Sequence, residues 1–420
     1  MESTNPYLSA NDVKYHLANT PQITFEVTDA CNLKCTYCGY GQFYSDYDTR
    51  ENKRLPVDKA IVLLEYLHQL WISSLNVSIN KNIYISFYGG EPLLNMSFIK
   101  TIVEYVENKL PSNLRYFTFS MTTNALLLHK YMDYLVEHNF NLLISLDGNK
   151  ENTSYRIDPK GNPAFNTIIS NVNLLQEKYL EYFEKRVNFN AVLHNRNSVE
   201  SIYRFFKENY NKIPSIGELN NMGIRPEMQE TFMKTYRNSE ESLHQSEHYE
   251  AIEKDMFIKS GSYSSLSTYL MQYSDFVYKD YNDLLLGKDY PKKILPTGTC
   301  PPFSKKVYVT VNGKLLPCER IGHQFALGEV TDTKVKLDFE AIAQKYNRYY
   351  TKLDMQCKAC HNKKACIQCI YNLPDIDKPK VTCHGFMSKK DFEEYQNAQL
   401  SFLANHPEDY HRIMTEIIVK

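Results

Sequence analysis

The sequence predicts an α/β chain: a partial barrel of six strand–helix units, then a helical bridge, then a small cysteine-rich domain. Three observations carry this. Between residues 22 and 219, short apolar strand runs alternate six times with stretches of helical period, the pattern of a parallel sheet. The polar clusters of that region fall just after strands, where closed α/β sheets place their sites. The cysteines fall in two groups, three within residues 31–38 and seven after residue 299.

Residues 1–21 are polar and too short for a domain. The first strand is expected at about 22–28, in the alternating run Ile23-Thr-Phe-Glu-Val-Thr-Asp29. Residues 39–55 read as a loop. Pro56 opens a helix at about 57–71, with Val57, Ala60, Ile61, Leu64, Leu67 and Trp71 on one face. The next strand, 83–88, ends in Gly89-Gly90-Glu91-Pro92, and a helix follows at about 96–109. Strand 116–121 ends in Thr122-Thr123-Asn124, with a helix at about 127–138. Strand 141–145 ends in Leu146-Asp147-Gly148, with a helix at 164–182. Strand 187–193, helix 198–209 and a weaker strand near 213–219 complete the barrel. Residues 220–295 are rich in Glu, Lys, Tyr, Ser and Gln and predict helices near 225–237 and 245–286, a bridge with a solvated face. A cysteine-rich domain is expected at 296–388 and two helices at about 389–403 and 407–418.

The first cysteine group is Cys31-Asn-Leu-Lys-Cys35-Thr-Tyr-Cys38, spaced Cys-x3-Cys-x2-Cys directly after the first strand. Three thiolates on one loop can hold three corners of an iron–sulfur cluster and leave one iron open. A zinc site completed from elsewhere, or buried free thiols packing as small hydrophobes, are the other chemistries open to this loop alone. The strand ends decide between them: Gly-Gly-Glu, Thr-Asn, Ser and Asp-Gly follow three successive strands at the same edge as the thiols.

This pattern resembles the radical S-adenosylmethionine (SAM) enzymes. Tyr37, the aromatic just before the third cysteine, fits that signature, and Gly89-Gly90-Glu91 resembles the family's Gly-Gly-Glu element. The resemblance implies a 4Fe–4S cluster on Cys31, Cys35 and Cys38 whose open iron is chelated by SAM. One electron then splits SAM into methionine and a 5'-deoxyadenosyl radical that takes a hydrogen atom from the substrate. It also implies that Gly89, Gly90 and Glu91 contact the SAM amino group and that Asn124 and Ser145 line the cofactor. Arg156 would pair with its carboxylate, and Val192 or Leu193 would touch adenine. Gly89 and Gly90, lacking side chains, would let the ligand approach the backbone; a plain tight turn is the other reading of a Gly-Gly pair. The family often has Gly after Thr-Asn, whereas this chain has Ala125.

The second group opens with Cys300-x12-Gly313-x4-Cys318, around a hairpin with an Asn-Gly turn. Cys357-x2-Cys360-x5-Cys366-x2-Cys369 and Cys383 follow. Two short pairs this close together are poor spacing for a zinc ribbon. The arrangement resembles the SPASM domain of radical SAM enzymes that modify peptides and proteins, with one residue fewer before the fourth cysteine of the tight group. The resemblance assigns Cys357, Cys360, Cys366 and Cys383 to one auxiliary 4Fe–4S cluster and Cys300, Cys318 and Cys369 to another. All ten cysteines are then used by three clusters, and the last lacks a fourth thiolate. Its open iron would accept a substrate thiolate, unless His, Asp or Glu completes it. Glu319, beside Cys318, is the candidate general base; a solvated carboxylate at a hairpin end is the plainer reading. His323, His361 and His384, near cysteines, read as hydrogen-bonding neighbours.

The 420 residues suffice for two or three domains. Net charge is −1 and pI about 6.9, which gives no footprint for nucleic acid or an anionic membrane. No apolar run is long enough to cross a bilayer, and Met1-Glu-Ser-Thr-Asn-Pro is no secretory signal. A cytoplasmic location is expected, where cysteines serve as metal ligands before disulfides. The 33 tyrosines read as composition bias.

The expected function is maturation of a ribosomally made precursor peptide, with a thioether or carbon–carbon crosslink as product. The resemblance implies an external electron donor of flavodoxin or ferredoxin type. With 21 residues ahead of the barrel, leader-peptide recognition is expected to fall to a separate protein, to the bridge, or to nothing at all. An anaerobic sulfatase maturase, which makes formylglycine, is the alternative within the family. A non-catalytic iron–sulfur electron carrier is the alternative of another class.

Overall fold

The computed structural model describes residues 7–78, 81–110, 115–256, 266–267, 269–270 and 295–413. Most of the helix expected at 245–286 and the end of the one expected at 407–418 lie outside them. The chain packs as two compact units. One holds residues 10–252 and 301–342; the other holds 1–9, 253–300 and 343–420. The stretch expected as one cysteine-rich domain is therefore divided between them.

The first unit is organised by a ten-stranded sheet. Its parallel part is β1 (Gln22–Thr28), β2 (Asn82–Gly89), β3 (Tyr116–Thr123), β4 (Asn141–Ser145), β5 (Val187–Val192) and β6 (Ser215–Gly217), paired in that order. The α/β reading of the sequence holds, and so does each strand. Helices α2 (Val57–Trp71), α3 (Met96–Lys109), α4 (Leu128–Glu137), α5 (Phe165–Lys178), α6 (Leu180–Arg186) and α7 (Val199–Tyr210) form the connections. A parallel pair needs such a crossover.

Side chains alternate across each strand, which splits the sheet into two chemistries. One face is aromatic: Phe25 stacks on Phe87 at 6.5 Å and meets Phe98 of α3 edge-on at 5.9 Å, and Phe140 lies 5.8 Å from Phe87. The other face is polar. Gln22 Nε2 donates to Ser86 Oγ at 2.8 Å, and Ser86 Oγ lies 2.6 Å from Ser120 Oγ. Glu26 and Tyr308 belong to this polar face.

Three expectations are corrected. Residues 10–18 are a helix, α1, which buries Val13 and Leu17; the i, i+4 spacing of those two residues was the available signal. The helix expected at 164–182 is two, broken at Tyr179 (φ −138°, ψ 57°). The hydroxyl of Tyr179 and the ammonium of Lys178 both bond Asp133 of α4, at 3.0 and 2.7 Å. The hairpin at 307–316 is real but joins the barrel. β7 (Val307–Val309) pairs in parallel with β1, Thr24 opposite Tyr308. β8 (Lys314–Leu316), β9 (Gly328–Val330) and β10 (Val335–Leu337) then extend the sheet antiparallel. Its turn spans Thr310–Gly313, with Gly313 N–H donating to Thr310 O at 2.8 Å and Gly313 at φ +81°.

The bridge carries the short helices α8 (Gln229–Thr235), α9 (Ser239–His244) and α10 (Tyr249–Met256). Helix α11 (Phe339–Ala359), most of it in the second unit, buries Tyr346 and Tyr350 completely. Tyr346 meets Tyr371 edge-on at 5.7 Å, and Tyr7 meets Tyr350 the same way at 5.7 Å. Many tyrosines are thus core material, as their scatter along the sequence suggested.

Candidate active site

Cys31, Cys35 and Cys38 lie on the loop leaving β1. Burial raises Cys31 and Cys35, and Cys38 adds to both, so the three sulfurs share one neighbourhood. Burial pushes Cys31 up to about 11 and Cys35 up to about 12. An activated nucleophile needs the opposite shift, and thiols like these ionise when a cation takes them. Leu33 N–H points to Cys31 Sγ at 3.4 Å, Arg50 Nη2 to Cys38 Sγ at 3.4 Å, and Asn124 Nδ2 to Cys31 Sγ at 3.8 Å. Donors around sulfur suit thiolates on an anionic cluster. Among the described residues no three sulfurs come within 4.8 Å of one another. Around one zinc ion, ligand sulfurs would be about 3.8 Å apart.

The Gly-Gly-Glu turn is built around its own backbone. Gly90 N–H donates to Thr28 O at 2.8 Å, and Glu91 N–H donates to Ala30 O at 2.9 Å. A Cβ on Gly89 would stand 2.2 Å from Thr28 O, and one on Gly90 would stand 2.0 Å from Ala30 O. The missing side chains make room for the end of β1 and the start of the cysteine loop. Gly89, at φ +133°, also takes a conformation closed to most residues. Glu91 is fully buried. Its carboxylate accepts from Leu93 N at 3.1 Å, Thr123 Oγ1 at 2.7 Å and Asn124 N at 2.8 Å. Burial outweighs these bonds and raises it to about 7. Glu91 thereby ties the end of β2 to the end of β3 and sets Asn124, whose Nδ2 also reaches Asn32 Oδ1 at 2.8 Å. Ala125 follows at φ +62°, the left-handed conformation that a Gly there would adopt freely.

Sequence reasoning missed the centre of the next group. Asp147 has no exposed surface. It binds Arg156 through two bonds, Nε to Oδ2 at 2.9 Å and Nη2 to Oδ1 at 2.8 Å. Tyr37 donates its hydroxyl to Oδ2, and Val192 N–H donates to Oδ1 at 2.9 Å. Arg156 is therefore a buried, paired cation. Tyr37 stacks on His194 at 5.6 Å. Burial lowers His194 to about 4, so the ring is neutral. Val192 and Cys35 pack at the edge of an apolar cluster of Tyr37, Phe43, Tyr44, Leu219 and Phe232. Leu193 is wholly buried, and Ser145, at the end of β4, is half-buried. The available signal for Asp147 was its place just past β4, two residues after Ser145.

Residues 39–55 run back along the end of β1: Asp29 N–H donates to Lys53 O at 3.2 Å and Leu55 N–H to Val27 O at 3.1 Å. Asp48 then grips the hairpin through Lys314 at 2.7 Å and Asn312 at 2.9 Å. On the polar face, buried Glu26 accepts from Tyr40 and from Val311 N at 2.9 Å, and Tyr40 lies 3.0 Å from the Tyr308 hydroxyl. Burial raises Glu26 to about 7. Nothing in the strand pattern marked this acid.

Cys318 and Glu319 close the same hairpin. Glu319 binds Lys306 at 2.9 and 3.1 Å, and that ammonium holds it below the usual carboxylate range despite burial. In the second unit, burial raises Cys357, Cys366 and Cys383 and Cys360 adds to each, while burial raises Cys369 and Cys300 adds to it. The Gly298–Cys300 segment lies along the Cys366–Cys369 turn. Gly298 N–H donates to Gln368 O at 3.0 Å and Ile370 N–H to Thr299 Oγ1 at 2.8 Å. His323 N–H bonds Asp46 O at 2.8 Å and His361 N–H bonds Met387 O at 3.1 Å.

With this geometry in place, the likenesses to known proteins are specific. The model of the radical SAM superfamily matches residues 25–208. The chain carries a radical SAM domain. It is 25% identical over 395 residues to a cysteine-type anaerobic sulfatase-maturating enzyme of Clostridium novyi, covering 89% of this chain and 94% of that one. It is 28% identical over 178 residues to the radical SAM cyclopropyl synthase TigE of Paramaledivibacter caminithermalis, 41% of this chain and 35% of that one. The solved structure of native anSMEcpe with bound AdoMet and Cp18Cys peptide superposes with a TM-score of 0.55 at 21% identity, covering 92% of this chain and 99% of that one. The radical SAM fold is thus shared, and the cysteine-rich C-terminal region fits a SPASM-like domain. None of the described helices is long and apolar enough to cross a membrane.

Proposed function

We propose that this radical SAM enzyme matures a ribosomally made peptide by forming a thioether or carbon–carbon crosslink. The observation that carries the reading is the division of cysteines, three on the β1 loop and seven after residue 299, of which the resemblance sets Cys357, Cys360, Cys366 and Cys383 apart from Cys300, Cys318 and Cys369. In this reading the trio holds the SAM-binding 4Fe–4S cluster, and the other seven thiols hold two auxiliary clusters. The last set is one thiolate short, which suits an iron that takes a substrate thiolate. When bound, SAM supplies the hydrogen-abstracting 5'-deoxyadenosyl radical. Tyr37, Gly89, Gly90, Glu91, Asn124, Ser145, Arg156, Val192 and Leu193 are the proposed cofactor contacts. Glu319 is the proposed general base; Lys306 keeps it ionised, ready to take a proton, at some loss of basicity. A low-potential flavodoxin or ferredoxin is the proposed electron donor, and a separate protein is proposed to bind a leader peptide. All ten cysteines are free, which suits a reducing cytoplasm.

Sulfatase maturation is the second reading, favoured by the end-to-end likeness to cysteine-type sulfatase-maturating enzymes. One experiment separates the two. The anaerobically reconstituted enzyme is given SAM, dithionite and either a cysteine-bearing sulfatase peptide or any short peptide encoded beside its gene. Mass spectrometry should find the neighbouring peptide lighter by two hydrogen atoms per crosslink. Conversion of the sulfatase cysteine to an aldehyde, with the neighbouring peptide untouched, would establish the second reading instead.

A further inference from the structure

Asp147 gathers four hydrogen bonds from three separate segments. Tyr37 comes from the cysteine loop, Arg156 from the connection after β4, and Val192 from the end of β5. Two acceptor sites on each oxygen are filled, the full capacity of a carboxylate. Every donor is a residue independently proposed to meet the cofactor. We propose that Asp147 is the positioning residue of the SAM site, fixing Tyr37, Arg156 and the β5 end in the arrangement that receives SAM without touching it. This rests on the cofactor contacts proposed above.

The physical case has three parts. A bidentate carboxylate fixes the plane of a guanidinium, which a single bond does not. With Nε and one Nη2 hydrogen committed, the Nη1 hydrogens and the second Nη2 hydrogen keep fixed directions. A ligand meeting them loses little side-chain freedom. The pair is also charge-compensated, so Arg156 offers oriented donors more than net positive charge. Finally, the hydroxyl bond keeps the Tyr37 ring on His194, with Tyr155 edge-on at 6.2 Å and the Arg156 guanidinium 5.5 Å from the ring centre. One side chain therefore sets three neighbours, and its loss should be felt as weaker SAM binding rather than as lost iron.

The test is Asp147→Asn in the full-length, anaerobically reconstituted enzyme. Its iron content, and the EPR spectrum of the reduced cluster without SAM, should match the unaltered enzyme. Its SAM dissociation constant should rise about tenfold, the usual consequence of unpairing a buried charged group. The SAM-induced change in the EPR spectrum should alter, and excess SAM should restore 5'-deoxyadenosine formation, so that KM moves more than kcat. Tyr37→Phe and Arg156→Lys each weaken one arm of the cradle and should lower SAM affinity in the same direction by a smaller factor. These two decide the matter if Asp147→Asn does not fold or does not keep its cluster. SAM affinity and EPR spectrum unchanged in the folded variants would overturn the proposal. An unsubstituted enzyme that keeps its iron but shows no EPR response to SAM would overturn the cofactor contacts themselves, a failure visible without any substitution.

Discussion

The cysteine trio at 31–38 hangs from the end of a central strand, whereas the seven later cysteines sit on turns, a helix end and a short hairpin. Around the trio, regular structure does the positioning. β1 is paired on both sides, the Gly-Gly-Glu turn is bonded to its end, and Glu91 ties two strand ends together. Around Cys357–Cys383, single contacts do it, such as Met387 N–H to Cys360 Sγ at 3.4 Å and Cys383 N–H to Gln356 Oε1 at 3.0 Å. The first arrangement is held by strand pairing and buried hydrogen bonds of the protein itself. The second takes more of its order from the clusters it is proposed to hold, because binding free energy and folding free energy are then the same quantity.

Breaking the second region should therefore be chemically selective. Cys360→Ser should cost the enzyme iron and lower product formation by about a hundredfold or more, while SAM cleavage to 5'-deoxyadenosine stays within about twofold. Iron analysis and a 5'-deoxyadenosine assay on one sample would check it; parallel loss of both activities would deny the separation.

A matched pair of glycines sharpens the contrast. A Cβ on Gly90 would meet Ala30 O at 2.0 Å, and one on Gly298 would meet Cys366 O at 1.9 Å. Each Ala substitution should cost about 3 kcal/mol locally. Gly90→Ala should move the trio's loop and suppress SAM cleavage, whereas Gly298→Ala should spare SAM cleavage and reduce auxiliary iron. Denaturant melts with both readouts distinguish them.

The barrel's buried acids give a pH signature. Glu26 and Glu91 are each raised to about 7 from a reference of 4.5. Between those values the folded chain holds protons that the unfolded chain has released, so stability falls as pH rises through that window, by on the order of 3 kcal/mol per group. In Glu26→Gln that share of the slope should vanish. The amide oxygen can still accept from Val311 N–H, and its NH2 can donate to the Tyr40 oxygen. An unchanged slope in urea melts from pH 5 to pH 8 would show that Glu26 is not the titrating group.

The smallest effect serves as a control. Asn211 caps α7 at φ 49°, far from either cysteine group in sequence. Asn211→Ala should cost about 1 kcal/mol with no change in iron or in SAM cleavage.

How much of this could be read from the sequence follows the same division. The parallel strands and the Gly-Gly-Glu and Thr-Asn ends were legible because strand period and turn residues are local signals. Asp147, Glu26 and the Tyr40–Tyr308 pair were not, because each owes its role to partners distant in the chain, 285 residues away for Glu26 and Val311. The pairing of β7 with β1 was hidden for the same reason. A three-residue strand carries little period, and its register is decided by the sheet it joins. Gly89 and Gly90 show a subtler limit. Their need to be glycine was legible, but the group crowding them is the chain's own backbone.

The most direct measurement is reductive SAM cleavage by the anaerobically reconstituted enzyme with Cys31, Cys35 and Cys38 all changed to Ala. The unaltered enzyme should release 5'-deoxyadenosine and methionine under dithionite, and the triple variant should release neither while still holding iron in its second unit. Equal release by both proteins would contradict the assignment of the open-iron cluster to the β1 loop.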